Sequence, residues 1–352
     1  MSTLAIIIVS WNTRDLLRRC IETVHTSLAG AAIGYTIVVV DNASSDGTPA
    51  MLRAEHPEAL LIESGRNLGF AGGNNLGLRH VLSSEFKVMS FDNARNSKLK
   101  AQNSKLDYVF LLNPDTEVVA HAIPRLVRYL DAHPDVAVVG PRLLYPDGGV
   151  QPSRRRFPSR GVFFWESTPL EQRWPGNPWA RRYRCADTPD DVEQEVDWLV
   201  GAALLVRRAA IERAGLLDAG FTMYSEELEW QRRISQQSAV SSQQPGASPI
   251  ADCRLSTVDC SRIVYLPDAV IVHHEGKSSE QALARRYLNF QRSRLRDAEM
   301  VYGERFARLL RLFLRAAYAA ELAVEAAKWL LGHKRALRAQ RIVVYWQVVR
   351  GL

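Results

Sequence analysis

Five short segments each set polar or acidic side chains just beyond an apolar, strand-like run. They are Ile8-Val9-Ser10-Trp11-Asn12, Val38-Val39-Val40-Asp41-Asn42, Arg66-Asn67-Leu68-Gly69-Phe70, Leu111-Leu112-Asn113-Pro114-Asp115 and Met223-Tyr224-Ser225-Glu226-Glu227. In an open α/β sheet the ligand crevice forms at such strand ends. Asp41 offers a carboxylate that can accept the N3–H of a pyrimidine, although an Asp here also serves as a turn cap. Gly69, Gly72 and Gly73 let the backbone approach a ligand, and Arg66 can pair with a phosphate. A helix beginning near Asn74 would point N–H groups the same way; the plainer reading is a glycine-rich turn needed for packing. Glu226 and Glu227 are adjacent carboxylates, which repel one another and raise one pKa, as a general base near neutral pH requires. Acids are also favoured at an exposed helix N-terminus, and Glu229 competes one turn on. His273 and His274 close a strand, followed by Glu275-Gly276-Lys277, where Lys277 could neutralise phosphate.

Taken in order, these segments resemble the inverting glycosyltransferases of family 2, and within them the bacterial rhamnosyltransferase branch. The resemblance implies a GT-A-like domain that binds a nucleotide-diphosphate sugar. It assigns Ser10, Trp11, Asn12, Asp41 and Asn42 to the base and ribose, and Arg66, Asn67, Gly69, Phe70 and Asn74 to the donor. Asn113-Pro114-Asp115 stands where the family carries its Asp-x-Asp metal motif. The first acid is Asn here, so Asp115 is the best single ligand for Mg²⁺ or Mn²⁺, and Asn113 would contact ribose, phosphate or a metal-bound water. His273 or His274 would add a metal or diphosphate ligand. Glu227 is the implied base and Glu226 its orienting partner. Trp198-Leu199-Val200-Gly201 resembles an acceptor-side loop, with Trp198 and Gly201 as its contacts. Arg154, Arg155, Arg156 and Arg160 could meet an acceptor diphosphate or form a solvated basic loop.

The elements that must position these groups are legible as patterns. Leu4–Val9 and Tyr35–Val40 are continuous apolar runs of buried parallel strands, and Leu60–Glu63 a third strand. Helical spacing runs from Asp15 to about Leu28, capped by Asn12 or Thr13, and a helix with Pro49 in its first turn follows to Glu55. Strands at Tyr108–Leu112 and Val136–Gly140 flank a helix at Ala122–Ala132. Residues 150–191 show little periodicity. Asp197–Arg207 is apolar, Arg208–Ala214 and Glu226–Ile234 read as helices, and Ile263–Leu266 and Ala269–His273 as two strands. The alternation predicts a mostly parallel α/β sheet flanked by helices over 1–280, with flexible insertions at 84–105 and 236–262, and a basic amphipathic helical tail over 281–352.

The 352 residues are 47% hydrophobic and 24% charged, enough for a full core. From Arg285 to Leu352 fifteen Lys/Arg stand against five Asp/Glu, so the tail carries +10 of the chain's net +7 and the first 284 residues carry −3. A basic tail suits an anionic surface such as a membrane leaflet. Charged residues interrupt 304–331, which reads as surface helices rather than a membrane span. The four cysteines form no close pair and the chain starts directly in a strand, so a reduced, cytoplasmic location is expected, peripheral at the inner face of the plasma membrane. Zinc held by Cys253, Cys260, His273 and His274 matches no common module.

The expected reaction is inverting transfer of a sugar, rhamnose from a dTDP donor being one candidate and a UDP donor another. The acceptor is a saccharide or polyprenyl-linked saccharide in cell-wall or surface-polysaccharide synthesis. No nucleic acid partner is expected. A nucleotidyltransferase is the first alternative, disfavoured because no Lys-containing Gly-x-Gly loop follows the first strand. A non-catalytic nucleotide-sugar binder is the second, disfavoured by intact Asp115 and Glu227.

Overall fold

The computed structural model describes residues 1–83, 86, 88–90, 100–102, 106–221, 223–236, 260–275 and 283–352. The chain divides into two compact units: Met1–Arg155 with Thr188–Asp218 and Glu227–Glu275, and Arg156–Asp187 with Ala219–Glu226 and Gly276–Leu352.

The first unit opens with β1 (Ser2–Ser10), α1 (Arg14–Leu28), β2 (Ile33–Asp41), α2 (Thr48–Glu55), β3 (Leu60–Glu63) and α3 (Gly69–Leu82). A small antiparallel pair, β4 (Val88–Ser90) with β5 (Lys100–Gln102), lies inside the expected insertion at 84–105. The sheet resumes with β6 (Tyr108–Leu112), β7 (Thr116–Val118), α4 (Ala122–Ala132), β8 (Val136–Leu144), β9 (Val150–Gln151) and β10 (Arg154–Arg155). The chain then enters the second unit through α5 (Arg160–Trp165), α6 (Pro169–Arg173) and α7 (Pro178–Tyr183). It returns as β11 (Gln194–Val196), β12 (Trp198–Leu199), β13 (Ala203–Arg207), α8 (Arg208–Ala214), α9 (Glu226–Gln236) and β14 (Arg262–His273).

The main sheet runs β11-β14-β8-β13-β6-β1-β2-β3. Its strands β6, β1, β2 and β3 are parallel, and β13 is inserted antiparallel between β6 and β8. This is the mostly parallel, helix-flanked sheet expected of a GT-A-like domain. Register aligns the functional ends: β1 pairs β2 from Ser2 opposite Ile33 to Ser10 opposite Asp41, and Ile8 lies opposite Leu112. Ser10, Asp41 and Asn113 therefore finish along one edge.

Strand alternation distributes β1 between two faces. Leu4, Ile6 and Ile8 join α1 and α4 in the main core, with Leu17, Ile21, Val24, Ile123 and Leu126. Ile7 and Val9 face α3. That helix begins at Gly69, not near Asn74, so the glycine-rich segment is a helix and not a turn. The reason is closeness of approach. A Cβ on Gly73 would sit 2.5 Å from Val9 Cγ1, and one on Gly77 would sit 2.7 Å from Ile7 Cγ2. Glycine inside a helix costs about 1 kcal/mol against alanine, and the tight seat on β1 offsets it.

Two other expectations change. Residues 262–273 form one strand with a register shift between Leu266 and Val270, where Pro267 lacks a ladder donor. The aperiodic stretch 150–191 contains α5, α6 and α7, each of five or six residues, too short to reveal a period.

In the second unit α10 (Leu283–Tyr302), α11 (Glu304–Leu330) and α12 (Arg335–Gly351) pack with α5. Phe163, Leu295, Ala298, Leu310, Leu314, Tyr318 and Val348 form its core. The buried Arg294 guanidinium donates to the carbonyls of Val162 and Phe163, and burial lowers its pKa. Arg338 holds the buried Glu325 through two bonds of 2.9 and 2.7 Å. Outward, α11 and α12 expose Leu309, Leu312, Trp329, Leu330, Val343 and Trp346. Among the described residues no helix is long and apolar enough to cross a membrane.

Gly77→Val forces Ile7 or the helix to move, and is expected to cost about 1–3 kcal/mol. Urea unfolding measures it; an unchanged midpoint would show that α3 does not rest on β1 at this distance.

Candidate active site

The β1–α1 and β2–α2 turns are stitched together. Asn12, at a positive φ of 52° that Asn tolerates, accepts the Ser45 amide at 2.8 Å and donates its own N–H to Ser44 Oγ at 3.0 Å. Ser10 is buried and shares a 2.9 Å bond with Thr13, so the hydroxyl of Thr13 does not cap α1. Trp11 is half-buried beside them. Asp41 accepts the Ser44 amide through Oδ2 at 3.1 Å, while its buried Oδ1 has no hydrogen-bond partner among the described residues. A buried carboxylate oxygen left without a donor is unusual and points to a missing partner.

Asn42 sets the start of α3. Its Oδ1 accepts the Leu68 amide at 3.1 Å and its Nδ2 donates to the Gly69 carbonyl at 3.0 Å. Gly69 occupies φ 71°, which allows the sharp entry. Arg66 and Asn67 are exposed, and Asn67 Oδ1 accepts the Gly69 amide at 2.9 Å. Asn74 is buried and donates to the Phe70 carbonyl at 3.0 Å. Phe70, at the first turn of α3, reaches Gly201: a Cβ on Gly201 would lie 3.3 Å from Phe70 Cζ and 3.3 Å from Glu227 Cγ.

Beyond β6, the Asn113 amide donates to the Ala202 carbonyl at 2.9 Å. Asp115 is buried, with Oδ1 3.3 Å from His273 Nε2. Asn113 Nδ2 lies 3.4 Å from the same nitrogen. The other imidazole nitrogen, Nδ1, is 2.9 Å from Gln151 Oε1, and Gln151 Nε2 donates to Glu275 at 2.9 Å. Glu275 accepts only, so it turns the amide oxygen of Gln151 toward His273. Nδ1 then donates to Gln151, and Nε2 is the nitrogen that faces Asp115. One imidazole nitrogen and one carboxylate oxygen thus converge in a donor set suited to a divalent cation, with an outer shell that fixes the tautomer. His274 does not join them. It stands one residue beyond the end of β14, and its Nε2 meets Glu117 Oε1 at 2.7 Å.

Glu227, in the first turn of α9, is half-buried. Desolvation raises its carboxyl above the ordinary range, opposed more weakly by its own amide, the Gly201 amide and the charge of Arg155. Two left-handed residues, Tyr224 and Ser225, precede the helix. Glu226 is buried as the last residue of the second unit's segment 219–226. Glu229 is turned to Arg233, at 2.6 and 2.8 Å, and Arg233 also grips the Ala214 and Leu216 carbonyls. That candidate base is held in a structural pair.

Gln151 and Gln231 had no sequence signal. Fully buried Gln231 accepts the Leu199 amide at 2.9 Å and donates to the Leu199 carbonyl at 2.7 Å, clamping the Trp198–Gly201 loop to α9. Trp198 is buried in that loop. Of the basic residues, Arg154 is spent on Thr188, Pro189 and Asp190; Arg155 lies in the first unit, and Arg156 and Arg160 belong to the second. Lys277 and Cys253 lie outside the described residues. Cys260 Sγ sits 2.8 Å from Arg213 and belongs to no group of three metal-ligating side chains among the described residues. Cys20 is buried and its thiol is pushed up to about 12.

Residues 5–91 match the profile of Glycosyl transferase family 2. A Mycobacterium tuberculosis protein described as N-acetylglucosaminyl-diphospho-decaprenol L-rhamnosyltransferase is 28% identical over 246 residues, 69% of this chain and 68% of that protein. The low-salt glycan biosynthesis hexosyltransferase Agl10 of Haloferax volcanii is 26% identical over 65% of this chain and 61% of its own length. Among solved structures, the mannosyltransferase PcManGT of Pyrobaculum calidifontis, in complex with GDP-Man and Mn²⁺, aligns over 99% of this chain and 85% of its own at 17% identity and a TM-score of 0.48.

Proposed function

We propose that this chain, a glycosyltransferase of family 2, carries out inverting transfer of a sugar from a nucleoside-diphosphate donor, with rhamnose from dTDP-rhamnose as the first donor to test. The name of the mycobacterial relative directs the acceptor proposal to a polyprenyl-diphosphate-linked saccharide. The observation that carries the reading is the convergence of Asp115 Oδ1 and His273 Nε2, 3.3 Å apart, at the strand edge that also ends in Asp41.

In this reading Asp41 accepts the N3–H of the pyrimidine through its unfilled oxygen, and the Ser10–Asn12 turn lines the ribose. Asp115 and His273 hold Mg²⁺ or Mn²⁺, His273 rather than His274 being the imidazole ligand. When bound, the ion neutralises charge on the diphosphate leaving group. Gln151 keeps the His273 lone pair aimed at it. Glu227 takes the proton of the acceptor hydroxyl as that oxygen bonds to the anomeric carbon and the bond to the nucleoside diphosphate breaks. Its raised pKa makes the carboxylate a stronger base than a solvated Glu. Phe70 and Gly201 pack around the base, and Trp198 stiffens the acceptor-side loop.

The exposed apolar side chains of α11 and α12, interspersed with Arg and Lys, support contact with an anionic membrane surface where a lipid-linked acceptor would reside. Leu310 and Leu314 are core residues of the second unit, so point changes on the exposed face test this better than removal of the helices.

Calorimetry with dTDP and UDP should show metal-dependent binding of one nucleotide, weakened about 10–100-fold in Asp115→Ala. Identical affinity with and without the ion would remove Asp115 as its ligand. Glu227→Gln should keep donor binding and lose transfer by about 10²–10⁴-fold; turnover like the wild type would eliminate it as base. The wild-type rate should fall as pH drops through a value above the ordinary Glu pKa of about 4.3, because the active form is the carboxylate and burial raises its pKa. Leu330→Glu with Leu331→Glu should reduce co-sedimentation with phosphatidylglycerol vesicles, and unchanged pelleting would sink the membrane proposal.

A further inference from the structure

Helices α1 and α2 run back from the donor edge and end at the opposite edge of the sheet, where β2 and β3 begin. His25 stands in the last turn of α1, His56 is the C-cap of α2, and Glu58 follows in the loop to β3. The ligand atoms of these three side chains all lie within 4.8 Å of one another, and they form the one such group of three among the described residues. His25 Nε2 is 3.0 Å and His56 Nδ1 is 3.4 Å from the same oxygen, Glu58 Oε1. The two rings are nearly parallel, with centroids 6.5 Å apart.

Hydrogen bonding alone explains this cluster poorly. One carboxylate oxygen would serve two imidazoles, and the His56 contact exceeds the usual 2.7–3.2 Å for an N–H···O bond. His56 is only 8% exposed, and its other nitrogen has no hydrogen-bond partner among the described residues. Nδ1 is thus held by one long contact only, and it is Nδ1, with His25 Nε2 and Glu58 Oε1, that lies in the group of converging ligand atoms; the empty Nε2 does not bear on a ligand there. Two helix C-termini also meet here, and their aligned carbonyl dipoles favour positive charge.

We propose that His25, His56 and Glu58 bind a zinc-class divalent cation through His25 Nε2, His56 Nδ1 and Glu58 Oε1, at a site separate from Asp115. Two imidazoles and a carboxylate form a borderline ligand set that suits Zn²⁺ better than Mg²⁺. Three protein ligands leave a fourth position for water, and half-buried His25 and Glu58 give it access to solvent. The outer shell is already in place: His25 Nδ1 lies 2.8 Å from Tyr35 Oη. With Nε2 on the ion, Nδ1–H donates to the Tyr35 oxygen and fixes the ring. The ion would tie the end of α1 to the end of α2 and the loop that leads to β3, behind the donor edge.

Zinc titration of the EDTA-treated full chain tests this without reference to transfer activity. An Asp115→Ala/His273→Ala background removes the donor-side cation pair. In that background one equivalent of Zn²⁺ should bind, raise the melting temperature, and give the intense visible absorption of low-symmetry Co²⁺ when cobalt replaces it. Adding His25→Ala and His56→Ala should weaken zinc binding by more than about 100-fold and abolish the thermal shift. The melting temperature in EDTA reports whether the histidine variant folds. If it falls, His56→Gln, which keeps polar bulk in the space, carries the comparison. No zinc equivalent in the Asp115→Ala/His273→Ala background, or the same binding and thermal shift after both histidines are removed, would overturn the proposal.

Discussion

The arrangement depends on one constraint, the in-register parallel pairing of β1 with β2 and β6. Each pair buries a nearly continuous apolar ladder, with Ile6, Ile7 and Ile8 fully inaccessible. A shift of one residue would turn Ile7 and Val9 toward α1 and α4 and present the wrong face to α3. Because the register is fixed by that burial, Ser10, Asp41 and Asn113 finish together. The Asn42 amide, donating to the Ser10 carbonyl at 2.8 Å, continues the pairing one step past the last strand residues. Asn42 then seats α3, and the glycines of α3 allow its close seat on β1.

Desolvation works against this assembly and also supplies its chemistry. Asp41, Asp115, His273 and Gln231 are all nearly inaccessible. An isolated buried carboxylate would be costly; Asp115 faces a chain of directed groups, while Asp41 keeps Oδ1 without a donor among the described residues. Glu275 orients Gln151, Gln151 orients His273, and His273 faces Asp115. Glu227 receives weaker compensation, and its pKa rises. Gln151 donates to the Glu275 carboxylate and Gln231 bonds only to backbone; each fixes which atoms of its neighbours face the site.

The second unit is built on different terms. Its three long helices bury a compact apolar core but leave large side chains such as Leu330 and Leu331 outward, among basic residues. Glu325 and Arg338 show how it treats internal charge, by pairing two ions within the helix packing. Loss of one partner there would strand a buried charge.

How much of this was readable from the chain differs by element. The strands β1, β2 and β6 and the helices α4 and α8 follow from local periodicity, because each is long or apolar enough to carry its own pattern. The same patterns put Asp41, Asn113, Asp115 and Glu227 at element ends. Other features depend on distant segments meeting. Gly73 looks like a turn residue, and Gly77 like an ordinary helix position, until Val9 and Ile7 are seen beneath them. His273 and His274 are equivalent in sequence, but His273, the last residue of β14, faces Asp115 while His274, one residue beyond it, meets Glu117. Glu229 resembles a catalytic acid until Arg233 occupies it. Gln151 and Gln231 carry no local signal, since their roles consist of hydrogen bonds to residues far along the chain. Periodicity and residue type therefore determined the elements and the supply of reactive groups. Tertiary structure decided which groups face one another, because hydrogen-bond direction and burial exist only once remote segments are packed.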